Sequence, residues 1–429
     1  MINLFIGIDD TDSPNKYCTT YIATLLLETL RENGYTLDLP KLIRMNPAVK
    51  YKTRGNGGIS LRILDNLSSK DKEEIKNITI KLVEKYSDFD CDNTNPGIVF
   101  IDEEKYKEHK EELQQYYKKV LYDIVDIDFA ERFISKIGGQ FIKYKLGRGI
   151  IGALGAVSST PPYTYELLTY RKKEMWGKKR NIDEKSVIEM DKSTFPYTYD
   201  NYDYENEKVL ITPNTPCPVL YGIRGINKEV LLKAKEMIKG ETPEKYTIFK
   251  TNQGTDVHLR NMKIKEIYPN TGVIVYGKVI KNPKNIEGGH VLFTISDETG
   301  EIGCIAYEPT KRFRDIVREL IIGDYVAVYG TVREYPLEIN IEKIKILKLA
   351  KKYIKDKKCP NCGGTLKSKG KKLGYKCKKC KIIIPYENIK KIEIERQIKI
   401  GFYEVPGSAR RHLSKPIQII DFNLLENDS

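Results

Sequence analysis

Three carboxylates stand within four residues near the start of the chain. Asp9, Asp10 and Asp12 directly follow the apolar string LFIGI, which reads as a buried β-strand. Carboxylates crowded at a strand end repel one another unless a cation lies among them, and Mg²⁺ carrying ATP phosphates takes carboxylate oxygens as ligands. The sequence therefore predicts a catalytic site for Mg²⁺ and ATP at these acids. The alternative is that they only cap a turn, a common use of aspartate.

A second phosphate-binding feature follows a few residues later. Cys18, Thr19 and Thr20 precede a stretch with apolar residues at helical spacing, so Thr19 or Thr20 is predicted as the N-cap of a helix. A helix start offers free N–H groups and a positive dipole to phosphate. We therefore expect the acids and a phosphate-binding helix start to lie side by side, although these threonines could serve the helix alone.

Residues 50–58 read KYKTRGNGG and combine positive charge with small residues. Glycines let backbone N–H groups approach an anion closely, and lysine and arginine add charge. The alternative is a hairpin turn, because a GxGG string alone has little specificity. The residues predicted to bind ATP phosphates are Thr20, Lys52, Arg54, Gly55, Asn56 and Gly57.

Four of the eight cysteines form two CxxC pairs separated by fourteen residues, which are Cys359 with Cys362 and Cys377 with Cys380. Two such pairs at this distance place four thiolates around one zinc ion. Because protein sulfur fills every ligand position, the predicted role of the zinc is structural. A redox role is disfavoured, since no thioredoxin-like pattern surrounds the pairs.

The elements that must position these residues fall into four predicted domains. Residues 1–128 alternate strand patterns with helical patterns, which indicates an α/β domain. Residues 129–255 contain a helical stretch, a glycine-rich string and a turn-rich string, which suits a mixed α+β domain. The predicted strands of the first domain are 4–8, 59–64 and 98–101, and its predicted helices are 21–33, 70–86 and 103–124.

Residues 256–348 read as short alternating strands with glycine turns and one helix over 312–320. This pattern predicts a five-stranded OB barrel. Its turn ISDETGEI is typical of OB domains that bind nucleic acid, although a barrel that binds only protein is the alternative. Residues 349–429 hold the cysteine module, a zinc ribbon, and a basic tail.

The net charge of +14 is concentrated near the zinc motif. Residues 351–381 hold thirteen lysines and one acid, a net of +12, which leaves +2 for the rest of the chain. This distribution predicts a local contact with nucleic-acid phosphates, with a solvated lysine surface as the alternative. The lysines placed around the zinc are Lys367, Lys369, Lys371, Lys372, Lys376, Lys378 and Lys379, and Arg410, Arg411 and Lys415 add charge downstream.

The sequence has no apolar run long enough to span a bilayer, and Asp9 interrupts the apolar start too early for a signal peptide. Scattered single cysteines suit a reducing compartment. We therefore expect a cytoplasmic protein with no membrane partner.

Taken together, the strings IGIDDTDS, CTTY, RMNP, YKTRGNGG, NTNPG, GRGIIGALGA and NTPCPVLYGIRG, in this order and followed by an OB barrel and a zinc ribbon, resemble archaeal tRNA(Ile) agmatidine synthetases. The resemblance covers essentially the whole chain. It implies a multidomain α/β and α+β protein with a kinase-like domain, a ferredoxin-like domain, an OB-fold domain and a zinc ribbon.

The resemblance also implies an ATP-dependent ligase activity. Its substrates would be agmatine and the wobble cytidine of the CAU anticodon of tRNA(Ile), joined at cytosine C2 so that AUA is read as isoleucine. Asp9, Asp10 and Asp12 would be the metal and ATP residues, and Thr19 would be autophosphorylated. The implied cofactors are ATP, Mg²⁺ and structural Zn²⁺.

The chemistry requires a pocket that holds a flipped cytosine and the agmatine guanidinium. We expect it where the first two domains meet, near the glycine-rich and turn-rich strings, and the candidates for the acid that holds the guanidinium are Glu166 and Asp256. The residues predicted to line this pocket are Gly149, Gly152, Cys217, Tyr221 and Arg224.

Two other functions fit parts of the sequence. An OB barrel followed by a zinc ribbon also suits a non-enzymatic single-strand-binding protein, but that function leaves residues 1–250 unexplained. A ligase that activates cytidine by adenylylation would keep the substrates and change the reaction.

Overall fold

The computed structural model describes residues 3–14, 16–50, 55–370 and 373–422. Ten α-helices lie within these residues. Their bounds are α1 Thr19–Glu32, α2 Ser69–Tyr86, α3 Glu103–Glu108, α4 Lys110–Tyr122, α5 Ile127–Lys136, α6 Gly149–Val157, α7 Glu184–Thr194, α8 Lys228–Met237, α9 Phe313–Arg318 and α10 Ile417–Asp421.

The first 251 residues build a single nine-stranded sheet, to which the two predicted N-terminal domains both contribute. A separate two-stranded hairpin, β8 with β9, lies beside it. The strands in chain order are β1 Leu4–Asp9, β2 Lys41–Arg44, β3 Gly57–Ile63, β4 Gly97–Asp102, β5 Gln140–Lys143, β6 Thr164–Tyr170, β7 Thr198–Tyr199, β8 Tyr202–Asp203, β9 Lys208–Val209, β10 Val219–Gly225 and β11 Lys245–Thr251.

The strand order of the sheet is β5-β4-β1-β3-β2-β11-β6-β10-β7. The first half of the sheet is β5-β4-β1-β3-β2 and the second half is β11-β6-β10-β7. The two halves join through the parallel pair β2–β11, and the other described pairings in this sheet are antiparallel. Only two residue pairs make that junction, Lys250 with Lys41 and Thr251 with Leu42. The halves therefore meet along a short seam that ends beside Arg44.

Helices cover both faces of the first half of the sheet. Ile22 and Leu26 of α1 pack with alternate residues of β1 on one face, while α4, α5 and α6 pack on the other. Helix α6 lies unusually close to the strands, since a Cβ at Gly7 would stand 2.3 Å from the Ala153 carbonyl oxygen and one at Gly58 2.3 Å from that of Gly152. The glycine-rich string therefore serves close helix–sheet packing.

Helices α7 and α8 pack on the second half of the sheet, around Leu167, Leu220 and Ile223. The predicted strands and helices of the first 128 residues are confirmed to within a few residues, except that the predicted helix over 103–124 is divided into α3 and α4. The predicted boundary at 128 falls just inside α5, and α5, β5 and α6 pack with the first half of the sheet.

The OB barrel is confirmed. Strands β13, β14, β15, β17 and β16 pair in that order, and pairing between β13 and β16 closes the barrel around a core that includes Val275, Phe293 and Ile344. The strands added here are β12 Leu259–Asn261, β13 Gly272–Asn285, β14 Val291–Ser296, β15 Glu301–Ala306, β16 Tyr325–Val332 and β17 Glu338–Lys348.

The cysteine module is inserted on a two-stranded stalk. Strand β18 Lys352–Lys355 leads into it and β22 Lys391–Ile394 leads out, the two pairing antiparallel. Between them β19 Leu366–Ser368, β20 Tyr375–Cys377 and β21 Ile383–Ile384 form a small sheet. The chain then returns to the barrel, where β23 Gly401–Glu404 pairs with β17.

Within the described residues, none of the helices is long and apolar enough to cross a membrane.

Candidate active site

A cavity of about 990 Å³ opens where the two halves of the sheet and the C-terminal segment meet. Its first wall carries residues of β1, the start of α1 and the end of β2, and its second wall carries residues of β6 and β10. Of the predicted site residues, those that line the cavity are Asp9, Asp10, Asp12, Thr19, Thr20, Gly55, Asn56, Gly57, Gly152, Cys217 and Arg224.

Asp9 ends β1 and faces helix α6. The backbone N–H of Asp10 donates to Oδ1 of Asp9 at 2.6 Å, and a Cβ at Gly152 would stand 1.9 Å from Oδ2 of Asp9. Gly152 thus leaves the space that this carboxyl occupies. Burial, together with repulsion from Asp10 and Asp12, raises the pKa of Asp9 well above its usual range. A bound cation would relieve this electrostatic cost.

Asp10 has a different environment from its neighbours. It is buried, and the Nε and Nη2 atoms of Arg148 donate to its Oδ2 at 3.0 and 2.8 Å. Arg148 also donates to the carbonyl of Asn93. Asp10 is held by this guanidinium, while Asp9 and Asp12 also line the cavity and offer the carboxylate oxygens that Mg²⁺ takes beside substrate phosphates.

Helix α1 begins at Thr19, and its N-cap is Cys18 in an extended conformation with no side-chain cap hydrogen bond. The prediction that Thr19 or Thr20 is the N-cap is therefore wrong. Both threonines lie in the first turn, where backbone N–H groups have no intrahelical partner and can bind an anion. The Thr11 hydroxyl donates to Oγ1 of Thr19 at 3.0 Å, which fixes the orientation of Thr19 beside the acids.

The glycine loop reaches the cavity through Gly55, Asn56 and Gly57. Asn56 has a positive φ of 46°, and its Nδ2 donates to the carbonyl of Asn46 at 2.9 Å. Asparagine tolerates this left-handed backbone better than most residues. Lys52 and Arg54, which were predicted to bind phosphate, lie outside the described residues, as do Lys371 and Lys372 of the ribbon.

The second wall holds a chain of buried charges. Arg224 contacts Glu166 at 3.4 Å and Asp200 at 3.2 Å, and Glu166 accepts from Nε2 of Gln253 at 2.5 Å. Asp200 is also paired with Arg410. These five residues stand at separate positions between 166 and 410 in the chain, so only folding brings them together.

Arg410 and Arg411 of the predicted basic tail are both paired with acids of the protein. Arg410 is 8% exposed and is paired with Asp200 and Glu404. Arg411 donates to Thr331 and lies 3.4 Å from Glu342 of the barrel. The expectation that the tail adds exposed positive charge is wrong for Arg410, which is buried and paired, while Arg411 is paired with the buried Glu342 and stays partly exposed.

Two of the predicted substrate residues lie elsewhere. Gly149 packs against β4, where a Cβ would meet the Gly97 nitrogen at 2.4 Å, and Tyr221 is buried beneath α8. Asp256 is also occupied, since it pairs with the buried Lys343 at 2.7 Å and accepts from the N–H of Lys415.

Cys217 belongs to a loop that is shaped by one guanidinium. Arg180 donates to the carbonyls of Val219, Pro213 and Thr215 at 2.9, 2.9 and 2.8 Å. Several carbonyls converging on one cation hold this turn-rich segment in place along the cavity wall.

Several cavity residues were not assigned a role from the sequence. Arg44 lies in the string RMNP and Arg148 in the string GRGIIGALGA. Their positions in these motifs could have indicated that they belong to the site. Asp200 and His412 stand in no motif, and nothing in the sequence indicated that they would reach the cavity.

The four cysteines of the ribbon converge. Their Sγ atoms all lie within 4.8 Å of one another, and they form the single converging group of metal-ligating side chains that was found in the described part of the chain. Cys359 and Cys380 are 3.7 Å apart, and Cys362 and Cys377 are 3.5 Å apart. Four sulfurs in this arrangement fit a structural zinc ion. The described lysines around them are exposed: Lys367, Lys369, Lys376, Lys378 and Lys379.

Family models cover most of the chain. Residues 5–146 match the TiaS TCKD domain, 147–258 the TiaS FLD domain, 269–347 an OB-fold nucleic acid binding domain, and 356–398 the TiaS C-terminal zinc ribbon domain.

Whole-chain relatives agree with these matches. The tRNA(Ile2) 2-agmatinylcytidine synthetase TiaS of Methanocaldococcus jannaschii is 77% identical, over 98% of this chain and 100% of that protein. The enzyme of the same name from Pyrococcus horikoshii is 47% identical over 96% of each chain.

Solved structures share the same architecture. A crystal structure of a TiaS–tRNA(Ile2)–ATP complex has a TM-score of 0.87 and is 40% identical over 97% of both chains. A TiaS–tRNA(Ile2)–AMPCPP–agmatine complex has a TM-score of 0.84 at 38% identity, again over 97% of both chains.

Proposed function

The chain belongs to the tRNA(Ile2) 2-agmatinylcytidine synthetase family, and on this premise we propose that it joins agmatine to the wobble cytidine of tRNA(Ile) with the CAU anticodon, using ATP. It is a carbon–nitrogen ligase that modifies tRNA. The solved relatives in complex with tRNA(Ile2), ATP and agmatine support the three substrates.

One observation carries the assignment of the reaction to a place in the molecule. A single cavity is walled on one side by Asp9, Asp12 and the start of α1, and on the other by Glu166 and Arg224. The first wall suits nucleotide phosphates, because a helix start and metal-binding acids meet there. The second wall has room and polar groups for a base and an amine.

The proposed reaction has two steps. The C2 oxygen of cytosine is a poor leaving group, so it first attacks the γ-phosphorus of ATP, and the bond from that phosphorus to its bridging oxygen breaks as ADP leaves. The agmatine amine then bonds to C2, the C2–O2 bond breaks, and phosphate departs with the oxygen and the electron pair. The amine nitrogen releases one proton to solvent.

Particular residues support the first step. Thr19 and Thr20 would present first-turn N–H groups to phosphate oxygens, and Asp9 and Asp12 would hold Mg²⁺. The ion would neutralise charge on the ATP phosphates. Thr19 is also the proposed site of autophosphorylation, and it is one of the residues that line the cavity. Glu166 is the proposed partner of the agmatine guanidinium, since its contact with Arg224 is long at 3.4 Å.

The barrel and the ribbon would hold the tRNA. An OB barrel beside exposed lysines provides a surface for backbone phosphates and unstacked bases. A tRNA substrate, together with eight cysteines that form no disulfide, supports a cytoplasmic location.

Mass spectrometry of tRNA(Ile) tests the proposal. After incubation with ATP, Mg²⁺ and agmatine, the wobble nucleoside should gain the mass of agmatine less one water. A tRNA whose wobble cytidine is replaced by uridine serves as the control. An unchanged nucleoside with intact tRNA binding and no ATP turnover would favour a non-enzymatic binder instead.

The activating group is tested separately. ATP labelled at the γ-phosphorus should deliver label to the tRNA and then to inorganic phosphate. Transfer of α-label to the tRNA would show adenylylation, and the two-step scheme above would be wrong in its first step.

A further inference from the structure

Arg44 is the last residue of β2, and its backbone is held from across the seam of the sheet. Its N–H donates to Oδ1 of Asn252 at 2.8 Å, and its carbonyl accepts from Nδ2 of Asn252 at 2.8 Å. Asn252 is fully buried and also donates to the hydroxyl of Tyr117. This bidentate contact extends the short β2–β11 pairing by one residue, and it fixes where the Arg44 side chain leaves the sheet.

Two glycines make room for that side chain. Gly57 is the cross-strand partner of Arg44, and a Cβ there would stand 3.1 Å from both Cδ and Nη1 of Arg44. A Cβ at Gly55 would stand 2.4 Å from Nη1, and the Gly55 carbonyl accepts from Nη1 at 3.3 Å. The glycine loop thus holds a slot in which the guanidinium lies along the cavity wall.

The other arginines on the cavity wall are engaged by acids. Arg148 is paired with Asp10, Arg224 with Glu166 and Asp200, and Arg410 with Asp200 and Glu404. Arg44 differs, because it makes no salt bridge to any carboxylate of the described residues.

The guanidinium of Arg44 is also poorly compensated by hydrogen bonds. Its Nε is buried without a hydrogen-bond partner in the described part of the chain, and burial lowers its pKa. Arg44 as a whole is half-buried, so its outer N–H donors face the cavity and are available to an anion there. Arg44 therefore has the electrostatic character of a site prepared for a negatively charged ligand.

The position of Arg44 identifies that ligand. The charged and polar groups that act on it are Asp12 and Cys18 from the nucleotide side, and Glu166 and Arg224 from the opposite wall. It stands between the place where ATP phosphates are expected and the place where the cytosine is expected.

We propose that Arg44 is a catalytic residue, whose guanidinium binds the non-bridging oxygens of the phosphoryl group as it passes from ATP to cytosine O2. This inference rests on the proposed function. In the transfer, the O2–phosphorus bond forms while the bond to the bridging oxygen breaks, and negative charge spreads over three equatorial oxygens. A planar fork of N–H donors matches two of these oxygens at once, which lysine cannot do.

The test compares Arg44→Lys and Arg44→Gln with wild-type enzyme under single turnover, with γ-labelled ATP and tRNA(Ile). We expect the rate of transfer at saturating ATP to fall about 10²- to 10³-fold in Arg44→Gln. The dissociation constants for a non-hydrolysable ATP analogue and for tRNA should change less than about threefold, since this contact forms chiefly in the transition state. Arg44→Lys should recover only a small part of the rate.

Arg62→Lys is the matched control, because Arg62 pairs with Glu103 and is not among the cavity residues. It should transfer phosphate at the wild-type rate. Arg44→Ala supplies a second measurement, because the space left by the side chain should admit free guanidinium ions. Guanidinium added at millimolar concentration should raise the transfer rate of Arg44→Ala at least about tenfold and should not raise that of wild type. Circular dichroism checks that each variant is folded.

Transfer by Arg44→Gln at the wild-type rate would overturn the inference while leaving the proposed function intact. A slow rate that is fully restored by raising ATP would also overturn it, because Arg44 would then only bind the ground state. If wild-type enzyme modified no tRNA, the proposed function itself would fail first.

Discussion

Arg148 donates two hydrogen bonds to one oxygen of Asp10, at 3.0 and 2.8 Å, while no such contact holds the neighbouring Asp9 among the described residues. Adjacent aspartates in one motif thus have opposite roles. The buried carboxyl of Asp9 is destabilised by burial and by nearby negative charge, which a cation would offset. The carboxyl of Asp10 is already neutralised by Arg148.

This division predicts different effects for the three acids. Asp10→Asn should lower the free energy of unfolding by about 2 kcal/mol, because it leaves the half-buried Arg148 guanidinium without its anion. Asp9→Asn and Asp12→Asn should abolish modification, leave tRNA affinity nearly unchanged and cost no stability. Urea unfolding, tRNA filter binding and nucleoside mass spectrometry separate the cases. Unfolding of Asp9→Asn would show that Asp9 holds the fold.

Asp9 should also give the ligand-free enzyme a characteristic pH dependence. Its pKa is raised in the folded protein by burial and by Asp10 and Asp12, so the folded state binds the proton more tightly. Stability contributed by the protonated carboxyl is therefore lost as pH rises from about 4 through the folded pKa. Asp9→Asn does not ionise, so wild type should lose unfolding free energy relative to Asp9→Asn as the pH rises over this range. Mg²⁺–ATP affinity should rise over the same range, which calorimetry can measure.

The zinc ribbon can be removed without touching the cavity. Lys355 pairs with Lys391 across the stalk, so an Asn-Gly turn replacing residues 356–390 should close a hairpin there. We expect this variant to turn over ATP but to bind tRNA more weakly, with a shallower dependence of log Kd on log salt. Deletion of residues 350–429 is a poorer test, because it also removes Arg410 from the cavity wall. Unchanged affinity at low and high salt would contradict the role of the lysines.

Arg410→Gln should act on stability rather than on phosphate binding. The change leaves the half-buried Glu404 without its arginine and Asp200 with Arg224 alone, and we expect a loss of about 2 kcal/mol in unfolding free energy together with reduced modification. The salt dependence of tRNA binding should stay that of wild type. A shallower slope would instead mean that Arg410 contacts RNA phosphates. A variant carrying Lys376→Gln, Lys378→Gln and Lys379→Gln provides the contrast.

Glu342 joins the barrel to the C-terminal segment in a second buried cluster. Although burial opposes it, electrostatic interactions with His258 and Arg411 lower the pKa of Glu342 to about 2. The stability that this depressed pKa contributes is present above the unfolded pKa and is lost as pH falls from about 4 to about 2. Glu342→Gln should remove about 3 kcal/mol at neutral pH and make acid unfolding less steep between those pH values. Thermal unfolding across this pH range measures both.

Much of the fold could be predicted because local sequence patterns determine its strands, helices and turns. Apolar alternation gave β1, β3 and β4, helical spacing gave α1 and α2, and glycine turns between short strands indicated the barrel. The cysteine spacing fixed the zinc site, since two CxxC pairs have few other arrangements. Asp9, Asp12 and Thr19 could be predicted to lie together, because the strand end and the helix start that carry them are neighbours in sequence.

The second wall could not be predicted in the same way. Arg224, Asp200 and Arg410 are separated by up to about 200 residues, and a lone acid or arginine has no local sign of its partner. The tail arginines looked like phosphate contacts because charge alone does not distinguish a buried ion pair from an exposed one.

What the sequence determined by itself is therefore the fold classes, the cysteine cluster and the proximity of Asp9, Asp12 and Thr19, because residues close in sequence stay close in space. What the tertiary structure decided is which charges remain available inside the cavity. The assembled sheet and barrel bring ion-pair partners to Asp10, Arg148 and Arg410. The same packing leaves Arg44 without an ion-pair partner among the described residues. Long-range ion pairing depends on geometry at the scale of a few ångströms, and no sequence pattern encodes that distance.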